Sequence, residues 1–196
     1  MITDPVGVYI HIPYCIRKCN YCDFCSLSRG EEGVPEYYVE RLIDEIFAYS
    51  SKDKIPASTL YFGGGTPSLL RTEQLQKILS ALDLVFEFDD DAEFTMEANP
   101  GTVSLSSLRE YRELGCNRLS IGVQSFDEQE LSALGRIHTP SDAIRAFELA
   151  RRAGFDNVSI DLMYGIPHQT NASFEETLNK AINLALNISS VFIVCY

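Results

Sequence analysis

Basic charge is scarce in this chain: 16 Lys and Arg face 28 Asp and Glu, leaving a formal net charge of −12. Non-specific nucleic-acid binding needs clustered cations to neutralise phosphates, so that class is excluded. No apolar run approaches the roughly 18 residues of a membrane-crossing helix. The first five residues, Met1 to Pro5, lack the basic and long apolar parts of a secretory signal. Sequence repeats and low-complexity linkers are missing as well, and only three histidines are present. What remains is a soluble, acidic chain expected in the cytoplasm. Its 45% apolar and 11% aromatic content supports a true core, and 196 residues make one domain or part of a larger one.

Cysteine is where the chain is unusual. Four of its six cysteines, Cys15, Cys19, Cys22 and Cys25, fall within eleven residues, while Cys116 and Cys195 lie far away. A disulfide scaffold would spread its cysteines, so this clustering reads as metal or redox chemistry. Two alternatives follow. All four thiolates could close around one structural zinc, although no histidine follows at finger spacing. Alternatively, the C-x3-C-x2-C set of Cys15, Cys19 and Cys22 suits a [4Fe–4S] cluster whose fourth iron stays open, with Arg17 and Lys18 offsetting its charge.

β-rich runs at Val6–Ile12, Thr59–Phe62, Glu93–Glu97, Arg118–Ile121, Val158–Asp161 and Val191–Val194 alternate with helical periodicity. Pro35 as a first-turn proline opens a helix striped by Val39, Leu42, Ile43, Ile46 and Phe47. Thr72, Ser104 and Thr139-Pro140 are expected to start three more, burying Leu75, Ile78, Leu79 and Leu82, then Leu108, Tyr111 and Leu114, then Ile144, Phe147 and Ala150. Gly115 and Gly154 stop two of these. Ser173 and Glu176 have capping-box spacing before Leu178, Ile182 and Ala185. Such alternation predicts an α/β fold with a parallel sheet. Arg29–Gly33, polar with two glycines, is the best candidate for a mobile loop.

Parallel α/β proteins carry their chemistry at the C-terminal ends of strands. Here those ends hold His11-Ile12-Pro13 and the cysteines, Gly63-Gly64-Gly65-Thr66-Pro67-Ser68, Glu97-Ala98-Asn99-Pro100, Gly122-Val123-Gln124-Ser125, and Asp161 before Tyr164-Gly165-Ile166-Pro167. The glycine run lacks the Lys-Ser/Thr of a phosphate loop, and a tight turn would explain it alone. Glu97, Gln124, Arg136 and Asp161 could each be a solvated or capping residue. Together they can bind a polar cofactor bearing amino, carboxylate and ribose groups. His11 fits a packed core histidine, His138 and His168 fit loop residues, and Cys116 needs nothing beyond burial.

The segment Val8-Tyr9-Ile10-His11-Ile12-Pro13-Tyr14-Cys15, with Cys19 and Tyr21-Cys22-Asp23-Phe24, resembles the opening of radical S-adenosylmethionine (SAM) proteins of the HemN/HemW group. Phe62–Ser68, Thr95–Pro100, Asn117–Ser125, Leu134–His138 and Asp161–Thr170 resemble successive family blocks in order. The resemblance implies that residues 1–196 are the radical SAM core, a partial (β/α)6 TIM-type barrel. It also implies a [4Fe–4S] cluster on Cys15, Cys19 and Cys22, with SAM chelating the fourth iron. Tyr9 and the backbone around Tyr21 would lie against that cofactor. Gly64, Gly65 and Thr66 would meet its methionyl part, and Glu97, Gln124, Arg136 and Asp161 would complete the pocket. The implied partners are a heme or porphyrin ligand, a heme-acceptor protein and a one-electron donor such as a flavodoxin or ferredoxin.

Two members of the group are in question. Phe24 stands where the oxygen-independent coproporphyrinogen III oxidase resembles a further cysteine, and only 14 residues precede Cys15. Both features favour the heme chaperone, although Ser190-Val191-Phe192 resembles the oxidase. Cys25 is assigned to neither pattern. The family continues into another domain, so the chain, which stops at Val194-Cys195-Tyr196, is expected to be a fragment. The chaperone's His-Asn-x-x-Tyr-Trp heme motif is missing and the chain has no Trp, so heme is assigned to the full-length protein only.

Overall fold

The computed structural model describes residues 4–184 and the backbone of 190–195. Strand β1 spans Val6–Ile12, and two short strands, β2 (Tyr14–Cys15) and β3 (Leu27–Ser28), follow it. Then come α1 (Glu36–Ala48), β4 (Ile55–Gly64), α2 (Thr72–Val85), β5 (Phe86–Ala98), α3 (Leu105–Glu113) and β6 (Arg118–Gln124). The chain continues through α4 (Glu128–Ala133), α5 (Pro140–Arg152), β7 (Asn157–Tyr164), α6 (Asn171–Leu184) and β8 (Ser190–Cys195). Six parallel strands form one sheet in the order β1-β4-β5-β6-β7-β8, with β1 and β8 at its edges. This is the α/β parallel sheet expected from the alternation, in the partial-barrel form that the resemblance implied. Ala185 and the side chains of the last strand lie outside the described residues.

The two faces of the sheet differ in chemistry, and that difference creates the site. Successive side chains of a strand point to opposite faces. On β6 and β7, Leu119, Ile121, Val123, Val158, Ile160 and Leu162 are buried in one core with Leu108, Tyr111, Phe147 and Ala150 of the helices. The alternate positions are polar or small: Arg118, Ser120 and Gly122 on β6, Ser159 and Asp161 on β7. A parallel sheet covered on both faces would read as a nearly continuous apolar run. Here the inner face lines a polar cavity instead.

Several element starts differ from expectation. β5 begins at Phe86 rather than Glu93, because Phe86 and Phe88 pair with Ile55 and Ala57 before a register shift. Pro35 is the residue before α1, not its first turn. Thr72 lies inside α2 and donates its hydroxyl to Glu110. The cap is supplied by Gln74, whose Oε1 accepts from Arg71 N at 3.1 Å. Likewise α6 is capped by a reciprocal Thr170–Ser173 pair, each backbone N–H 3.0 Å from the other's hydroxyl. Glu176 is left to pair with Lys180 on the surface. Phe47 and Ile182, both expected to face inward, are exposed. Ser104 and Thr139 cap α3 and α5 as predicted.

The 29–33 segment forms a 3-10 turn against the cysteine loop. Leu27 N donates to Pro13 O at 2.7 Å, Arg29 N to Cys15 O at 2.9 Å and Gly30 N to Ile16 O at 3.0 Å. Cys116 is buried as expected, its Sγ 3.5 Å from Phe94 O, and burial pushes its thiol up to about 12.

Tyr111 of α3 anchors the turn that follows β4. It is fully buried, with its hydroxyl 3.3 Å from Ser68 O and 3.2 Å from Leu70 O. Tyr111→Phe keeps the packing and strands those carbonyls, so it should destabilise by about 1–2 kcal/mol. Denaturant unfolding checks this, and an unchanged midpoint would mean that the hydroxyl contributes nothing.

Candidate functional site

A cavity of about 650 Å³ opens at the C-terminal ends of the strands, bounded by the cysteine loop and the inner face of β4 to β7. Cys15, Cys19 and Cys22 line it; Cys25 does not, and its side chain is exposed. Gly64, Gly65, Thr66, Glu97, Gln124, Arg136, Asp161 and Tyr21 share its wall. Of the predicted site residues, Tyr9 alone stands apart. It is 56% exposed, stacks on Tyr61 at 6.0 Å and meets His11 Nδ1 at 3.0 Å.

The cysteine loop is docked rather than loose. Asn20 N donates to Leu134 O at 2.9 Å, and Asn20 Nδ2 to Ala133 O at 3.0 Å. Tyr21 packs on Leu134, Met163 and Ile166, and burial pushes its hydroxyl up to about 12. Arg136 donates to Cys19 Sγ at 3.4 Å and to Gly122 O, while its buried Nε has no hydrogen-bond partner. The arginine is thus directed at the thiol loop from the side of β6. Arg17 and Lys18 also line the cavity, and Lys18 Nζ reaches Phe24 O at 3.3 Å.

The glycine run has structural causes. Gly64 has a φ of 113°, and a Cβ there would lie 2.5 Å from the His11 ring. At Gly65 a Cβ would lie 2.8 Å from Tyr14 O and 2.9 Å from Ile12 O, both backbone atoms. Close approach of strand ends therefore requires these glycines, whatever the cavity binds. His11 is half-buried beside this turn, its Nε2 3.1 Å from Cys25 O. His138 is buried against Val123 O at 3.0 Å rather than being a plain loop residue, and burial holds it down at about 4.

The acids are held from below. Tyr61 donates to Glu97 Oε1 at 2.7 Å and Gly64 N to Glu97 Oε2 at 3.1 Å. Burial nevertheless raises the Glu97 carboxyl above its ordinary range. Ser120 donates to Asp161 Oδ1 at 3.1 Å. Gln169, not Asp161, ties the turn after β7, with its Oε1 accepting from Gly165 N at 2.7 Å. That removes the capping alternative for Asp161. Tyr61, Arg118 and Ser120 were missed from the sequence, though each sits two or four residues along its strand from a position that was singled out.

A family model for the radical SAM superfamily matches residues 9–181. The chain belongs to this superfamily. Within it, the relatives are of the HemN/HemW family. The heme chaperone HemW of Escherichia coli (strain K12) is 43% identical over 183 residues, covering 92% of this chain and 48% of its own length. The oxygen-independent coproporphyrinogen III oxidase of Pseudomonas aeruginosa is 35% identical, covering 96% and 42%. The solved coproporphyrinogen III oxidase of E. coli, described as a radical SAM enzyme, superposes with a TM-score of 0.84 at 32% identity, covering 96% and 44%. The chain thus spans about half the length of the relatives it matches.

The radical SAM superfamily implies SAM and a [4Fe–4S] cluster. The donor set fits the cluster, because three soft thiols face one cavity and the fourth thiol of the loop is turned away from it. Among the described residues, no three His, Cys, Asp or Glu are grouped to hold a single metal ion. A tetrahedral zinc would draw thiolates to within about 3.8 Å of each other; a cubane, with its irons at separate corners, holds them farther apart. No helix among the described residues is long and apolar enough to cross a membrane.

Asp161 is held up at about 6, chiefly by burial, with Glu97 adding to the effect and Ser120 opposing it. A carboxyl raised in the folded state takes up a proton there before it does when unfolded. Stability then falls as pH rises from about 4 to 6. At neutral pH the ligand-free protein carries this carboxylate at a cost on the order of 1–3 kcal/mol. Asp161→Asn should therefore melt higher than the parent at pH 7, and the gap should close below about pH 4. Thermal melts across pH 4–8 check the sign, and a lower melting temperature at pH 7 would contradict it.

Proposed function

We propose that the chain is the radical SAM core of a HemW-like heme chaperone. The observation that carries the core assignment is the exclusion of Cys25 from the cavity that Cys15, Cys19 and Cys22 share with the strand-end polar groups. Those three thiolates would hold three irons, and SAM would complete the fourth. Bound there, the pair would supply one-electron reductive cleavage of a sulfonium. The chain's own residues bind and orient. Glu97 and Asp161 accept from amino and hydroxyl groups, Glu97 with Tyr61 already on Oε1 and Gly64 N on Oε2, and Asp161 with Ser120 on Oδ1. Gln124 and Thr66 add buried polar contacts, with the Gly64–Gly65 backbone beside them. Arg136 lies where it would stabilise the negative charge of a cluster at Cys19. Tyr9 would enter from the β1 edge.

Support for the chaperone over the oxidase comes from the higher identity to HemW, 43% against 35%, and from Phe24 at the further cysteine position. The oxidase reading would instead have the intact protein decarboxylate porphyrinogen propionates. Heme, a heme-acceptor protein, a one-electron donor and a cytoplasmic setting belong to the proposal for the whole protein.

Anaerobic reconstitution with iron and sulfide should give about four irons per chain with cubane absorption. Cys19→Ala should lose most of that absorption, and Cys25→Ala should keep it. A Cys19→Ala variant with a full cluster, or zinc bound without sulfide, would sink the core assignment. In the reconstituted protein, Asp161→Asn should weaken SAM binding by about tenfold or more while sparing the cluster. Incubating a full-length homologue with coproporphyrinogen, SAM and reductant separates the two members. Product formation would reject the chaperone in favour of the oxidase.

A further inference from the structure

Behind the cavity wall, Glu130 of α4 is only 1% exposed. Three donors from three separate segments converge on its carboxylate. These are Ser125 Oγ at 2.6 Å, Gln169 Nε2 at 3.1 Å and Ser173 Oγ at 2.6 Å. Ser125 follows β6, Gln169 follows β7, and Ser173 lies in the first turn of α6. Each is tied to the backbone around it. Ser125 Oγ accepts from Asp127 N at 3.0 Å, and the neighbouring Phe126 N reaches Thr177 Oγ1 of α6 at 3.2 Å. Gln169 grips Gly165 N at 2.7 Å and Met163 O at 3.3 Å.

The segments held this way form one side of the cavity. Gln124 and Met163 both line it. Gln124 adopts a φ of 71°, and Ser125 N donates to Val123 O at 3.0 Å across it. A turn closed over two residues around a non-glycine in the left-handed region is strained. Such a conformation persists only where its surroundings over-determine it. The residue immediately after it is the one Glu130 holds.

We propose that Glu130 is a positioning residue whose carboxylate latches the Gln124 turn and the Met163–Gln169 loop into a single rigid wall. A carboxylate accepts only, with room for about four donors, and so can take all three at once. An amide in its place would set its N–H₂ against the N–H₂ of Gln169 or, flipped, against Ser173 Oγ, which already accepts from Thr170 N. The latch stands on geometry alone; its consequence for SAM rests on the pocket assignment made above.

Hydrogen exchange on the intact, ligand-free protein tests the latch. In Glu130→Gln, amides at 124–127 and 163–169 should exchange roughly tenfold faster or more, the scale of one lost charge-assisted hydrogen bond. Amides of β1 and β4 should keep the parent rate. The double variant Glu130→Gln/Gln169→Glu restores a donor–acceptor pair with the roles exchanged but no longer donates to Met163 O. It should therefore recover part of the protection at 124–127; a purely packing role would give no such rescue. Unchanged exchange at the two loops, uniform acceleration across the sheet, or absence of rescue at 124–127 would overturn the proposal. SAM titration of the reconstituted proteins runs alongside. A loss of affinity that follows the loop exchange supports both the latch and the pocket. Loosened loops with unchanged SAM affinity uphold the latch and reject Gln124 as a SAM contact.

Discussion

Every polar side chain on the inner face of the sheet needs a partner in a region largely closed off by the strands themselves. Much of the architecture follows from that demand. Arg118 spans the interior, donating to Thr95 on β5 and Ser159 on β7 at 3.2 Å each. Tyr61 and Gly64 hold Glu97, and Ser120 holds Asp161. These bonds use up part of each acid's capacity and aim the rest at the cavity. A ligand arriving there meets acceptors that are already oriented, so little ordering remains to be done at the moment of binding.

The same demand explains why the cavity costs stability. Asp161 and Glu97 are both raised by burial, and the Glu97 charge raises Asp161 further. An arrangement optimised for folding alone would place apolar residues at these positions, as it does on the opposite face of the same strands. Perturbed carboxyls gathered at strand ends mark a place where binding has outweighed stability.

The cysteine loop is positioned by contacts far away in sequence. Asn20 and Tyr21 dock on the segment around Leu134, and the 27–30 stretch pairs with residues 13–16. In a chain of net charge −12, the cations Arg17, Lys18 and Arg136 are concentrated where thiolates and a negatively charged cluster would sit. Glu130 does for the opposite wall what Asn20 does for the loop, joining pieces that their own local structure leaves independent.

Local pattern alone determined the strand–helix alternation, the parallel sheet and the rim on which the unusual residues fall. A two-residue period and helical capping are written in consecutive residues, so they are legible without the fold. The clustering of Cys15, Cys19 and Cys22 was equally plain, because ligand spacing on one loop is a property of sequence. Spacing left both a three-thiolate and a four-thiolate set open, and the resemblance favoured the first. The physical reason that Cys25 stays out is the path of the loop, which leaves it exposed outside the cavity. Local pattern also misplaced Thr72 and Ser173, since the groups that finally cap α2 and α6 are chosen by neighbouring turns. Arg136 meeting Cys19, Gln169 tying the turn after β7 and Glu130 gathering three segments were decided by tertiary structure alone. Their partners lie between 4 and 117 residues away, and no periodicity encodes a hydrogen bond between side chains that meet only when the sheet has closed.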